Sequence, residues 1–165
     1  RILRAMVAGC QAEPGLNGFY DGSATSRQIE SRIDIAIAVD TADGLIVPVI
    51  RNVEQTTAEQ IRGDLNQIKQ KTMDRTVAPE EMKDFTFTLS NFGMMAGRYA
   101  TPVVVPPTIA ILGTGGIQHD VVAVLGGVEV HRRIPLSLTF DHRCVTGGEA
   151  CRFLAAAIAD LKKAL

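Results

Sequence analysis

The chain has 165 residues, 46% of them hydrophobic, with 17 basic and 18 acidic side chains and a formal net charge of −1. A chain of this length buries roughly 70% of the surface that it exposes when unfolded, which predicts one soluble globular domain. Because the sequence has no long block of like charge and no apolar run of ~20 residues, it indicates neither a nucleic-acid-binding patch nor a membrane span.

The first predicted element is a helix at the amino terminus. Apolar residues begin at once at helical spacing, and Pro14 with Gly15 ends the pattern. They are Ile2, Leu3, Met6, Val7 and Cys10. Neither an initiator Met nor a capping residue precedes them, so we expect the amino-terminal part of the domain to be missing from the chain. The next segment, GFYDGSATS, is interpreted as a loop.

A strand and a hairpin follow this loop. Large and small residues alternate over 33–39, which is typical of a strand. Asp43 and Gly44 form a hairpin signal. The short apolar run 45–50 contains Pro48, which cannot donate to a strand ladder, so this run is predicted to be an edge strand or an irregular one.

The second predicted helix starts at a capping box. Thr57 and Gln60 have the spacing at which each side chain bonds the backbone of the other. Apolar residues then recur at positions 61, 65 and 68. The periodic run ends near Thr72, which predicts an amphipathic helix of about four turns.

The remaining chain is dominated by strand patterns. Apolar residues alternate with threonine over 85–89, before Ser90-Asn91-Phe92-Gly93 breaks the pattern. Further strands are predicted at 108–112, 121–125 and 128–131, with a turn at Gly126-Gly127 between the last two. Strands outnumber helices, and several are joined by hairpins. This predicts an α/β protein of the two-layer (α+β) sandwich type, in which helices cover a mixed sheet.

His142 lies between two predicted elements. An alternating strand over 136–140 ends just before it, and Gly147 with Gly148 allows a turn into a final helix just after it. The apolar residues of that helix are Phe153, Leu154, Ala157, Ile158, Leu161 and Leu165. Two rigid elements are therefore expected to hold the imidazole.

The three cysteines, Cys10, Cys144 and Cys151, are odd in number and lack C-x-x-C spacing. This argues against a disulfide framework and against a zinc site. A reducing compartment, either a bacterial cytoplasm or the mitochondrial matrix, fits best.

The stretch DHRCVTGGEACRFL resembles the D-H-R-x-x-D-G-x-x-x-x-x-F-L signature of dihydrolipoamide acyltransferases. These are the core components of 2-oxo acid dehydrogenase complexes and are related to chloramphenicol acetyltransferase. IAIAVDTADGLIVPVIRNV and APEEMKDFTFTLSNFGMMAGRYATPVVVPPTIAILGTGGI match the family in the same order. The resemblance covers nearly the whole chain and implies an acyltransferase catalytic domain over 1–165, lacking its amino-terminal part, with a chloramphenicol-acetyltransferase-like fold.

The resemblance implies that His142 is the general base and Ser90 the donor to the oxyanion in acyl transfer between dihydrolipoamide and coenzyme A. Reference pKa values of about 8.5 for a thiol and 6.5 for an imidazole make this proton transfer uphill by ~2.7 kcal/mol. A fixed hydroxyl on the oxyanion is typically worth about 10² to 10³ in rate. Taken alone, His142 would be interpreted as a structural histidine that caps a strand end, and Ser90 as a turn serine that bonds the local backbone.

Thr146 departs from the signature, which has an aspartate at this position. The family's aspartate holds the histidine loop through hydrogen bonds and an ion pair. A threonine keeps one hydrogen bond and loses the charge. Loss of such a supporting group typically costs about 10-fold to 100-fold, so Thr146 is compatible with an active enzyme and with an impaired one.

The resemblance also assigns coenzyme A contacts to one group of residues. These are Asp40, Asn91, Gly93, Met94, Gly115 and Ile117. No metal is expected, because His119 and His131 lack partners at metal-binding spacing. The glycine-rich run 113–116 matches neither a P-loop nor a dinucleotide fingerprint.

The family builds its site between subunits, so the resemblance implies a homotrimer that can assemble into a larger cage. Partner enzymes of the dehydrogenase complex, and the lipoyl group, would be engaged through domains outside this chain. The run GRYATPVVVPP is closer to branched-chain acyltransferases than to the pyruvate-specific type. Two other functions stay open: a catalytically impaired structural core subunit, and a free acetyltransferase for a small soluble acceptor.

Overall fold

The computed structural model describes residues 1–42 and 44–163. Helix α1 spans Ile2–Ala12, α2 spans Ala58–Met73 and α3 spans Gly147–Leu161. Short 3-10 turns lie at Pro14–Leu16, Val53–Gln55, Pro79–Met82 and Phe92–Met94. Across the described ranges, no helix combines the length and the apolar character that crossing a membrane requires.

Ten strands are described. They are β1 (Gly18–Asp21), β2 (Ser26–Ile29), β3 (Ile35–Thr41), β4 (Gly44–Ile46), β5 (Val49–Ile50), β6 (Phe87–Ser90), β7 (Ala110–Thr114), β8 (Gln118–Val124), β9 (Gly127–Arg133) and β10 (Leu136–Phe140). The central sheet has the order β10-β7-β6-β3-β4, and β5 also pairs with β3. Strands β3, β6 and β7 are parallel, whereas β4, β5 and β10 run antiparallel to their neighbours. The predicted mixed sheet is confirmed.

The two faces of this sheet differ in side-chain size. One face carries large apolar residues, and the helices pack on it: Phe87 of β6 stacks on Phe153 of α3 with ring centroids 5.3 Å apart. Helix α2 reaches the same core through Ile61 and Leu65. The other face carries Ile111 and otherwise mostly small residues, in the register Ala36, Ala38, Thr88, Ser90, Gly113, Ser137 and Thr139. All three helices therefore form one layer and the sheet the second.

Helices α1 and α3 pack against each other closely because α1 presents a glycine at the contact. A β-carbon on Gly9 would lie 2.6 Å from the Phe153 ring. Such a distance is far inside van der Waals contact, so only glycine lets the two helices approach this closely. Met6 of α1 and Phe153 of α3 are completely buried at this junction.

The segment GFYDGSATS is not a loop, and this prediction was wrong. It supplies strand β1, the turn over 22–25 and the first residue of β2, and this hairpin is paired from Gly18 with Ile29 to Asp21 with Ser26. The Asp21 carboxylate closes the turn by accepting from the backbone N–H of Ser23 at 2.8 Å and of Ala24 at 3.2 Å. The strands are short and mostly polar, so they lack the apolar alternation by which a strand is recognised.

The strand predicted at 33–39 is shifted to Ile35–Thr41. The backbone N–H groups just before this strand donate to side chains and not to a neighbouring strand. Glu54 accepts from Ile33 at 2.9 Å, and Thr86 accepts from Asp34 at 3.0 Å. Strand pairing therefore begins only at Ile35.

The predicted edge strand over 45–50 is irregular, as expected, and is divided into β4 and β5 around Pro48. The hairpin prediction is confirmed by the pairing of Thr41 with Gly44. Asp43 of that signal and Leu165 of the last helical pattern lie outside the described residues.

Candidate active site

Ser90 is the last residue of β6 and lies at the carboxyl end of the parallel strands. It pairs with Ala38 of β3 on one side and with Gly113 of β7 on the other. Neither neighbour has a side chain larger than a methyl group, and Ser90 is half-buried. Its hydroxyl therefore lies on the small-residue face, next to the Ala38 methyl group on one strand. On the other strand the Phe92 ring packs over Gly113, 3.0 Å from where a β-carbon would lie.

The backbone next to Ser90 crosses the backbone after β7 at close range. Asn91 Oδ1 accepts a hydrogen bond from Thr114 Oγ1 at 3.1 Å. A β-carbon on Gly93 would lie 2.1 Å from the carbonyl carbon of Gly115, and one on Gly115 would lie 2.2 Å from the Arg98 oxygen. Glycine is required at both positions. The structure thus brings together three of the residues predicted to contact coenzyme A.

Met94, Ile117 and Asp40 border the same end of the sheet. Met94 and Ile117 are 82% and 57% exposed. Asp40 is exposed and lies within β3, not after the strand as predicted, because the strand continues to Thr41. It lines a cleft of about 830 Å³ between the β3–β4 hairpin and α2.

His142 is the second residue after β10 and is exposed in the loop before α3. Its ring centroid lies 5.3 Å from that of Phe140, with the planes tilted by 44°. The two residues that flank it pair with each other, and Arg143 Nε donates to Asp141 Oδ1 at 2.9 Å. This bond is the main cause that lowers the pKa of Asp141, and the Arg143 guanidinium also lies 4.4 Å from the centre of the Tyr20 ring.

Thr146 is the N-cap of α3. Its hydroxyl accepts from the backbone N–H of Glu149 at 3.3 Å, and the Glu149 carboxylate accepts from the Thr146 backbone N–H at 2.7 Å and from its hydroxyl at 2.8 Å. The backbone bond, the hydroxyl bond and a bond from Arg27 together lower the pKa of Glu149 to about 2. A negative charge therefore lies beside Thr146, on Glu149.

Sequence reasoning missed Arg27 and Glu149. Arg27 Nη1 donates to Glu149 Oε1 at 3.0 Å and to the backbone oxygen of Cys144 at 2.8 Å. Thr146 and Glu149 have the same capping-box spacing as Thr57 and Gln60, so Glu149 could have been found from the sequence. Arg27 carried no signal, since it directly follows the segment interpreted as a loop and the sequence predicted no element there.

Ser90 and His142 lie toward opposite ends of the sheet. Ser90 is level with Gly113, which is level with Ser137 at the start of β10, whereas Phe140 at its end is level with Ala110. Three residues of strand separate the two levels, about 10 Å at ~3.3 Å per residue, and His142 lies further on. The structure does not bring these two residues together within one chain.

Of the cysteines, Cys144 lies in the histidine loop, and the remaining histidines and cysteines lie in other elements. His131 Nε2 lies 2.7 Å from Glu129 Oε2 in the exposed β8–β9 hairpin. Burial raises the pKa of the Cys10 thiol to about 12, whereas Cys151 is exposed. Among the residues that the structure describes, no group of three or more His, Cys, Asp or Glu side chains could hold a metal ion.

The family model of the 2-oxoacid dehydrogenases acyltransferase (catalytic domain) matches residues 1–164. The dihydrolipoyllysine-residue succinyltransferase component of the mitochondrial 2-oxoglutarate dehydrogenase complex from Mus musculus is 39% identical over 153 residues. That match includes 93% of this chain and 34% of the mouse protein. The chain therefore spans about a third of the length of this relative.

Solved structures show the same fold. Azotobacter vinelandii dihydrolipoamide acetyltransferase, in which the catalytic roles of a serine, a histidine and an asparagine were investigated, has a TM-score of 0.91, with 31% identity over 97% of this chain and 65% of that chain. The cubic core of the pyruvate dehydrogenase multienzyme complex has a TM-score of 0.91, with 32% identity and the same coverage. Chloramphenicol acetyltransferase has a TM-score of 0.56 with 14% identity over 97% of this chain and 77% of that chain, which confirms the predicted fold alone. By sequence and by fold, the chain belongs to the catalytic-domain family of the 2-oxoacid dehydrogenase acyltransferases.

Proposed function

We propose that this domain transfers an acyl group between a dihydrolipoyl group and coenzyme A within a 2-oxo acid dehydrogenase complex. The observation that carries the proposal is a spacing. The serine and histidine investigated in the A. vinelandii enzyme are 52 positions apart, and its asparagine follows four positions later. Ser90, His142 and Thr146 have the same separations. The position of Thr146 thus holds a neutral polar side chain in both chains.

The chemistry divides between the two ends of the sheet. His142 is exposed at the start of its loop, where its imidazole can take the proton from an attacking thiol. The thiolate adds to the thioester carbon, and the charge gathers on the former carbonyl oxygen. Ser90 donates a hydrogen bond to that oxygen until the intermediate collapses and expels the second thiolate, which regains the proton from the imidazolium.

The coenzyme A contacts are proposed for the residues around Ser90. Asn91, Gly93 and Gly115 form the close backbone crossing, and the exposed Met94 and Ile117 offer apolar surface to a pantetheine arm. Asp40 would contact the coenzyme from the cleft beside β3. The lipoyl group is the second substrate, and the domain that bears it lies outside this chain.

A site shared between subunits accounts for the separation of Ser90 and His142. In a homotrimer the serine of one chain can face the histidine of the next, so a monomer would be inactive. Assembly of such trimers into a larger core fits the likeness to the cubic core. The partners are then the other enzymes of the complex, in the mitochondrial matrix or in a bacterial cytoplasm.

Substitution of the two residues tests the assignment. With dihydrolipoamide and acyl-CoA as substrates, His142→Ala is expected to abolish transfer, and Ser90→Ala to lower kcat by about 10² or more with little change in acyl-CoA binding. Circular dichroism and the trimer mass serve as controls for folding. Wild-type rates in a folded His142→Ala protein would contradict the role of His142, and a change confined to KM would contradict that of Ser90.

A catalytically impaired core subunit is the second candidate, and the Thr146 substitution is the observation that favours it. The same assay on the wild-type protein decides between the two. Turnover of dihydrolipoamide supports the enzyme, whereas normal assembly without turnover supports the structural subunit. A comparison of acetyl-, succinyl- and branched-chain acyl-CoA would then identify the acyl group.

A further inference from the structure

The loop that carries His142 is held from outside by the β1–β2 hairpin. Arg27 of β2 donates through Nη1 to the backbone oxygen of Cys144, two residues after His142, at 2.8 Å. Tyr20 of β1 lies under the Arg143 guanidinium, 4.4 Å from its ring centre. The hairpin thus contacts the residues on the carboxyl side of His142 at two points.

Arg27 connects this loop to two other segments. The same nitrogen lies 3.0 Å from Glu149 Oε1 in α3 and 3.3 Å from the backbone oxygen of Gly15. A β-carbon on Gly15 would lie 2.7 Å from Nη1 and 3.1 Å from Glu149 Oε1, so the chain leaves room for this ion pair only with glycine at position 15. The Arg27 side chain is 26% exposed and that of Glu149 16%, so solvent only partly screens the pair.

The two segments that Arg27 bonds, the start of α3 and the histidine loop, differ in the other contacts that support them. The start of α3 is stabilised by the capping box between Thr146 and Glu149, which does not involve Arg27. The Cys144 carbonyl, in contrast, accepts its bond from Arg27. Loss of Arg27 should therefore leave α3 folded and release the segment next to His142.

We propose that Arg27 is a positioning residue for His142, acting through the Cys144 carbonyl and the Glu149 carboxylate. The inference rests on the proposed acyl transfer. Arg27 and Glu149 supply the charged support of the histidine loop, and the neutral Thr146 only caps the helix. A planar guanidinium with fixed donors can serve several acceptors at once, which a lysine ammonium on a flexible stem does poorly.

Three variants test this role in the assembled protein. Arg27→Met removes the guanidinium, and Arg27→Lys keeps the charge. Arg152→Met is the matched control, because Arg152 Nε pairs with Glu13 Oε2 at 2.6 Å and also ties α3 to the segment before Gly15, through an ion pair that does not involve the histidine loop. We expect Arg27→Met to lower kcat about 10-fold to 100-fold, with KM for acyl-CoA nearly unchanged. Arg27→Lys should retain part of the lost kcat, and Arg152→Met should have the kcat of wild type.

A second readout does not depend on turnover. Diethyl pyrocarbonate modifies accessible imidazoles, and mass spectrometry of the peptides reports the rate at each of the three histidines. Arg27→Met should change the rate and its pH profile at His142 and leave those at His119 and His131 as in wild type. Arg152→Met should change none of them.

The outcomes separate the two proposals. If the wild-type protein transfers no acyl group, the proposed function fails, and the modification rates still decide whether Arg27 positions His142. Unchanged rates at His142 in Arg27→Met would overturn the positioning role. An equal loss of kcat in Arg152→Met would also overturn it, since the effect would then be general loss of packing around α3.

Discussion

Ser90 lies between two small residues of the adjacent strands. Ala38 and Gly113 are level with it, and the Phe92 ring packs over Gly113, so Ala38 is the neighbour whose size can be changed without disturbing that contact. A sequence pattern shows that Ser90 ends a strand, but it does not show which residues lie next to it across the sheet. That information comes from strand register, which depends on contacts between distant segments.

Enlarging Ala38 tests whether a small residue is needed beside Ser90. Ala38→Val adds two methyl groups next to Ser90 on the same face, where they would crowd a thioester. Valine is favoured in strands, so we expect little change in thermal stability but a loss of about 10-fold or more in kcat/KM. Steady-state kinetics and a melting curve measure the two effects. Wild-type kinetics would show that no substrate approaches along this side of Ser90.

Thr146→Asp restores the residue that the resemblance leads one to expect, and we expect it to destabilise this protein. The introduced carboxylate keeps the helix cap but would face the charged Glu149 and no longer donate the hydroxyl proton to it. The loss in free energy of unfolding at pH 7 should diminish toward pH 5, where protonation restores a donor. Thr146→Ala should cost about 1 kcal/mol at both pH values.

The interaction between the two carboxylates can be measured directly. In a double-mutant cycle, Thr146→Asp should cost less when Glu149→Gln is also present, because the repulsion is then absent. Urea unfolding of the four proteins at pH 7 gives the coupling. Greater stability of Thr146→Asp than of wild type would indicate that a cation other than Arg27 reaches this position.

At the scale of elements, the start of α3 makes stability depend on pH. The pKa of Glu149 falls from its usual 4.5 to about 2 in the folded protein, first through the Thr146 bonds and then through Arg27. A lowered folded-state pKa contributes stability that is complete above pH 4.5 and is lost as pH falls toward 2. Glu149→Gln should therefore cost about 1–2 kcal/mol at pH 7, and the difference from wild type should shrink below pH 4.5. Urea unfolding at a series of pH values measures it, and a constant difference would show that Glu149 is not the titrating group.

The elements divide into those that local sequence determines and those that tertiary contacts determine. Helix α2 was predicted almost to the residue because its capping box and apolar spacing are local signals. The β1–β2 hairpin was missed because its short polar strands are held by the Asp21 turn and by contacts with distant segments, among them the bridge from Phe19 to Thr108. Arg27 lies in this hairpin, and its partners Cys144 and Glu149 are also far away in the chain.

At the scale of the molecule, the sheet explains why one chain holds only half of each proposed site. The parallel strands end at Ser90, and the antiparallel β10 carries the chain back to the other end, where His142 follows. The resemblance pointed to both residues, but their separation became visible only from the strand register. Chains that join head to tail bring the Ser90 end of one sheet to the His142 end of the next, and such an interface forms a closed ring when its rotation closes.

Mixed assemblies test this arrangement. A trimer built from His142→Ala and Ser90→Ala chains contains interfaces where the intact Ser90 of one chain faces the intact His142 of the next. With random assembly of equal amounts, about a quarter of the sites are intact, so co-expression should restore about a quarter of the wild-type activity, although each variant alone is nearly inactive. A mixture of the two preassembled variants is the control and should stay inactive until the chains exchange. If co-expression restores nothing while native mass spectrometry shows mixed trimers, Ser90 and His142 do not meet between subunits.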